Sequence, residues 1–149
     1  AVPPAGRRYG RVGDVASSRR HVWVEAAAER VWALVGDPGA IAAWFPSIVA
    51  CDMSGSTRTC TLGSGEVVAE EIITVDDALM RLQYRIVRGI DVESHLGTVD
   101  VIPDGVHRCL VLYATDVRPD DLAGPLGSSV ERALDLLAER FEQSSAGPG

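Results

Sequence analysis

The chain has 149 residues, 46% of them hydrophobic, which suffices for one domain with a real core and falls short of two ordinary ones. A formal charge of −7 disfavours a nucleic-acid backbone or an anionic membrane surface as a partner, and no apolar run approaches the ~20 residues of a membrane span. All fourteen basic residues are arginine, which excludes Schiff-base chemistry on a lysine of this chain.

Residues 1–17, with Pro3-Pro4 and scattered Gly and Arg, lack apolar periodicity and read as an irregular N-terminal arm. Ser18–Val24 is the first strand, with Val22 and Val24 on one face and Trp23 on the other. Ala26–Val35 follows as a short helix on the spacing of Ala27, Val31, Leu34 and Val35, stopped by Gly36-Asp37-Pro38-Gly39. Ile41–Trp44 makes one more helical turn before Pro46.

Six strands are then predicted in quick succession: Ile48–Met53, Arg58–Leu62, Glu66–Val75, Leu79–Val87, Glu93–Ile102 and His107–Val117. Their joints are turn-like: Ser54-Gly55-Ser56, Gly63-Ser64-Gly65, Asp76-Asp77, Arg88-Gly89 and Pro103-Asp104-Gly105. A final helix runs from Ala123 to about Glu142 on the stripe Leu126, Val130, Ala133, Leu134, Leu137 and Phe141, with Ser128-Ser129 as its expected N-terminal cap. Residues 144–149 read as a tail, so the domain proper is 18–143.

Hairpin-length loops imply an antiparallel sheet, and the fold class is α+β. A long antiparallel sheet followed by one amphipathic helix buries both apolar faces most economically by curling around that helix. Incomplete closure leaves a cavity. Cys51, Cys60 and Cys109 form neither a C-x-x-C pair nor a disulfide framework; they fit free thiols in a reducing cytoplasm, and neither a metal nor a cofactor is expected. The chain starts at Ala1, and what remains does not read as a signal peptide.

The ordered set Ala28-Glu29-Arg30-Val31-Trp32, Trp44-Phe45-Pro46-Ser47-Ile48, Arg58-Thr59-Cys60-Thr61-Leu62, Glu70-Glu71-Ile72 and Asp76-Asp77 resembles the SRPBCC (START/Bet v 1-like, helix-grip) superfamily. It is nearest to the bacterial polyketide cyclase/dehydrase-type branch and also similar to the plant abscisic-acid receptors. The resemblance implies a seven-stranded curved sheet gripping the C-terminal helix, with a ligand cavity between them. It does not imply a reaction.

Strand parity leaves both faces of Glu66–Val75 mixed. The resemblance to the receptors, which carry a cavity glutamate there, points to Glu70. By the same resemblance His95 falls at an aromatic pocket position, and Cys51 and Cys60 turn inward as small lining. Val49, Leu62, Val68, Tyr84, Leu110 and Leu112, with Val130, Leu134 and Leu137 of the helix, are the candidate apolar walls. Val49 stands where the receptors have a basic residue, and only Gly63-Ser64-Gly65 stands where they have a gating loop, so a neutral or hydroxylated ligand without receptor-like gating is expected.

The leading expectation is a cytoplasmic binding or carrier protein for a small hydrophobic, lipid- or polyketide-like molecule. The alternative is a polyketide cyclase or dehydratase using Glu70 and His95 as an acid/base pair, since histidine titrates near neutral pH. A third is an interaction module in which the arm or an exposed Trp docks onto a partner, with homodimerisation through the arm as one form of it.

Overall fold

The computed structural model describes residues 13–145. Residues 1–12 of the expected arm and 146–149 of the expected tail lie outside the described residues, whereas Ala16 and Ser17 already belong to the first strand and residues 144–145 still belong to the last helix.

Seven strands form one antiparallel sheet: β1 (Ala16–Val24), β2 (Ile48–Ser54), β3 (Thr57–Leu62), β4 (Val67–Asp76), β5 (Arg81–Arg88), β6 (Ser94–Asp104) and β7 (Arg108–Arg118). Their order is β1-β7-β6-β5-β4-β3-β2, so five hairpin steps lie side by side and only the step from β1 to β2 crosses from one edge to the other. That crossing is made by helix α1 (Ala28–Val35) and a 3₁₀ turn, Pro38–Ala43, which Asp37 caps by accepting from the Gly39 N–H at 3.1 Å. Trp32 of α1 donates to Asp77 in the β4–β5 turn at 2.9 Å, which ties the crossing segment to the far end of the sheet.

The long helix α2 (Ala123–Ser145) lies on the concave face over β1 and β7. Its expected stripe is the buried one: Val130, Ala133, Leu134, Leu137 and Phe141 are at most 6% exposed. Gly127 lets α2 approach β1 closely, since a Cβ there would stand 2.3 Å from the Ser18 hydroxyl. The expected Ser128-Ser129 cap is corrected. The helix starts five residues earlier, Pro125 sits in its first turn where a missing N–H costs nothing, and Ser129 bonds back to the Pro125 carbonyl at 3.2 Å.

Two other expectations change. β5 begins at Arg81 rather than Leu79, because residues 78–80 form a turn in which Asp76 accepts from the Leu79 N–H and Met80 takes a positive φ of 56°. Pro103-Asp104 continue β6 instead of turning, with Pro103 opposite Cys109.

Candidate functional site

α2 covers the β1–β7 half of the concave face. Over β3, β4 and β5 the face is left open, and there a cavity of about 120 Å³ remains. Its inner wall is Cys60, Val68, Glu70, Tyr84, His95 and Tyr113, all buried. The lining residues that keep contact with solvent are Ser47, Leu62, Ile90, Leu126 and Ser129, and four of them, Ser47, Ile90, Leu126 and Ser129, mark its mouth between the 3₁₀ segment, the β5–β6 loop and the start of α2.

The polar part of the wall is built from paired groups. Arg58 and Glu70 are register partners across β3 and β4, and Arg58 Nε donates to Glu70 Oε1 at 3.2 Å with both side chains almost wholly buried. Arg58 Nη1 donates to the Pro38 carbonyl at 3.0 Å, its guanidinium lies 4.8 Å from the centre of the Tyr84 ring, and its buried Nη2 has no hydrogen-bond partner among the described residues. Burial works to lower the Arg58 pKa, but the Glu70 carboxylate beside it holds it above its ordinary value, so the guanidinium stays charged. Burial pushes the Glu70 carboxyl up, opposed by Arg58 and by hydrogen bonds from Arg58 and Cys60.

Tyr84 and Tyr113 share a hydroxyl–hydroxyl hydrogen bond on the cavity wall. Burial drives both phenols well above their usual range, so both keep their protons. Two hydroxyls joined by one hydrogen bond have one proton left over, available to the cavity. The pair is possible because Gly97 lies opposite Tyr84: a Cβ at that position would stand 2.5 Å from the Tyr84 ring.

His95 is fixed by a break in the ladder. Pairing between β5 and β6 ends at Tyr84–Gly97, and beyond it the Ile86 N–H donates to His95 Nδ1 at 3.1 Å. Burial pushes the His95 pKa down to about 4, so the ring is neutral near pH 7. With Nδ1 accepting, the proton of the neutral ring is on Nε2. His95 is therefore a hydrogen-bond donor with its lone pair already taken. It is not poised as a general base.

The remaining sequence candidates divide. Leu62 and Val130 line the cavity with the residues named above. Leu134 and Leu137 are 1% exposed and belong to the core beneath α2, away from the cavity wall. Val49 is corrected: a bulge at this residue breaks the β2–β3 register between Ile48 and Ala50, so Ile48 takes the wall and Val49 is 61% exposed. Cys51 is half-buried behind Cys60, not on the wall. Leu110 and Leu112 are corrected by one register step. On β7 the inward residues are Cys109, Val111, Tyr113 and Thr115, and the leucines face the other side.

Sequence reasoning missed several lining residues, among them Phe45, Ile48, Ile86, Tyr113 and Thr115, and it missed Arg58, the buried partner of Glu70. Arg58 had a usable signal, because it shares parity with Cys60. Among the described residues no three His, Cys, Asp or Glu side chains are grouped so as to hold a metal ion, and no helix is long and apolar enough to cross a membrane.

The family described as polyketide cyclase / dehydrase and lipid transport matches residues 15–143. No match is found among curated proteins. Among solved structures, a START superfamily protein from Mycobacterium smegmatis superposes with a TM-score of 0.72 at 19% identity, covering 85% of this chain and 97% of that one. An aromatase/cyclase from a Streptomyces species gives 0.70 at 18% identity, covering 91% and 99%. Norcoclaurine synthase from Thalictrum flavum, in complex with dopamine and hydroxybenzaldehyde, gives 0.66 at 20% identity, covering 87% of each chain. At these identities the likeness establishes the helix-grip fold.

Proposed function

The chain belongs to the polyketide cyclase / dehydrase and lipid transport family, whose fold is built around a hydrophobic ligand site, and on that footing we propose that its cavity binds a small, neutral, hydroxylated ring compound without turning it over. The observation that carries this reading is the state of the two acid/base candidates. Glu70 is tied to Arg58 and Cys60, and the His95 lone pair is tied to the Ile86 N–H. What the wall offers a guest is hydrogen-bond donation, from one tyrosine hydroxyl and from His95 Nε2, set among apolar residues. That pattern suits a carbonyl or hydroxyl oxygen on an otherwise apolar molecule. Arg58 already has its counter-charge, which leaves little to attract a carboxylate.

Size supports a single ring. Pockets for drug-sized ligands run to roughly 300–1,000 Å³, whereas a cavity of roughly 150 Å³ is filled by benzene. At about 120 Å³ this one is nearer the second. A multi-ring polyketide or a long acyl chain would need the mouth to open further. The single-ring phenols in the norcoclaurine synthase complex show that a helix-grip protein of this shape can hold such compounds.

The test is displacement of a bound hydrophobic fluorophore by 4-hydroxybenzaldehyde, by a three-ring phenol and by palmitate. The single-ring compound should compete best, and Val68→Phe, which fills the cavity from its wall, should abolish uptake while the far-ultraviolet circular dichroism is retained. No saturable uptake by folded wild-type protein would overturn the binding reading. Better competition by palmitate would overturn the ligand class.

A further inference from the structure

Cys51 and Cys60 face each other in register across β2 and β3, with their Sγ atoms 3.3 Å apart and both thiols free. Directly opposed residues of an antiparallel pair hold their Cα atoms about 4.5 or 5.5 Å apart, according to their place in the ladder, and both spacings fall within the roughly 4.4–6.8 Å that disulfides span. We infer that Cys51 and Cys60 are an oxidant-responsive pair that closes to a cross-strand disulfide when the protein meets hydrogen peroxide.

The two thiols differ in a way that assigns their roles. Cys51 is half-buried on β2, the edge strand, and within reach of a small oxidant. Cys60 is 1% exposed, and burial together with the Cys51 and Glu70 contacts holds its thiol protonated. In the first step the Cys51 sulfur attacks one peroxide oxygen. An S–O bond forms and the O–O bond breaks, the thiol proton leaves with the other oxygen as water, and the sulfur is oxidised by two electrons to the sulfenic acid. In the second step the Cys60 sulfur attacks the Cys51 sulfur. An S–S bond forms and the S–O bond breaks, and the departing hydroxide takes up the proton that Cys60 gives up, leaving as a second water. In sum, two thiols and one hydrogen peroxide give one disulfide and two waters.

The product has two structural consequences. It links the edge strand β2 covalently to β3, and it removes the S–H that Glu70 accepts at the cavity wall. Cys109 serves as an internal control: it is wholly buried on β7, and burial pushes its thiol up to about 11.

The experiment treats reduced full-length protein with hydrogen peroxide and reads the intact mass and a non-reducing peptide map. The expected result is the loss of two hydrogens, a 51–60 cross-link, a free Cys109 thiol, and reversal by dithiothreitol. Cys60→Ser should stop the reaction at the first step and be labelled at Cys51 by dimedone, whereas Cys51→Ser should leave Cys60 unlabelled at the same dose. Wild-type protein that accumulates sulfinic or sulfonic acid on Cys51, or that forms disulfide-linked dimers without a 51–60 link, would overturn the inference.

Discussion

Glu70 and Glu71 are neighbours on β4, both paired with an arginine on an adjacent strand, yet they lie in opposite surroundings. Glu71 meets Arg85 at 2.7 Å on the outer face of the sheet, where the side chains are 39% and 54% exposed. Glu70 meets Arg58 at a longer 3.2 Å on the inner face, where they are 8% and 2% exposed. The shorter contact is the weaker constraint. On the outer face water solvates either charge alone, so the pair adds little. On the inner face each charge is tolerable only because the other is present. The concave wall is thus held in its arrangement by pairs that cannot be broken singly, and that rigidity suits a preformed binding site better than a catalytic base that must be free to move a proton.

The largest effect should come from breaking the inner pair. Glu70→Leu strands the Arg58 charge and should cost about 3–5 kcal/mol of stability in urea denaturation, whereas Arg58→Met with Glu70→Leu should recover most of that loss, because buried ion pairs replaced by apolar groups are often near neutral. His95 should carry an acid response of its own. Its folded-state pKa near 4 lies below its ordinary 6.5, so the unfolded chain binds the extra proton first. Its contribution is full above about pH 6.5 and is lost as the pH falls to about 4, on the order of 3 kcal/mol in all. The stability of wild type minus that of His95→Gln, measured across this window, should show that loss. Glu70, whose carboxyl is pushed up, acts with the opposite sign and cancels in the difference.

The inner face was only partly legible in the sequence. The strand run and the final helix were visible because periodicity and turn residues mark them locally. Which residue of β2 faces the cavity was not, because the bulge at Val49 inverts parity and leaves no local trace. On β7 the stretch Leu110–Tyr113 is apolar at both parities, so Leu110 and Leu112 are as plausible as Val111 and Tyr113 until the register is known. The Arg58–Glu70 pair depends on cross-strand register too. Arg58 shares parity with Cys60, which marks it as inward, but its partner on the next strand is visible only once the register is known.

A smaller effect should follow from Gly97→Ala. The new Cβ would collide with the Tyr84 ring, costing about 1–3 kcal/mol by overpacking and separating the two tyrosine hydroxyls. Thermal denaturation and the ultraviolet difference spectrum of the tyrosines would register both. The smallest should be the outer-face control: Glu71→Gln should change stability by no more than about 1 kcal/mol, and by less as salt is raised. A loss as large as that of Glu70→Leu would break the distinction between the two faces.

The most direct test of the inner face as a ligand site is a nitrogen-15 NMR titration of the protein with 4-hydroxybenzaldehyde. Saturable shifts should gather at the backbone amides of Tyr84, Ile86, His95 and Tyr113, all on the cavity wall, with the amides of the exposed Leu79, Ile102 and Val106, which do not line it, unmoved. Shifts that never saturate, or that gather at those exposed positions instead, would contradict the account.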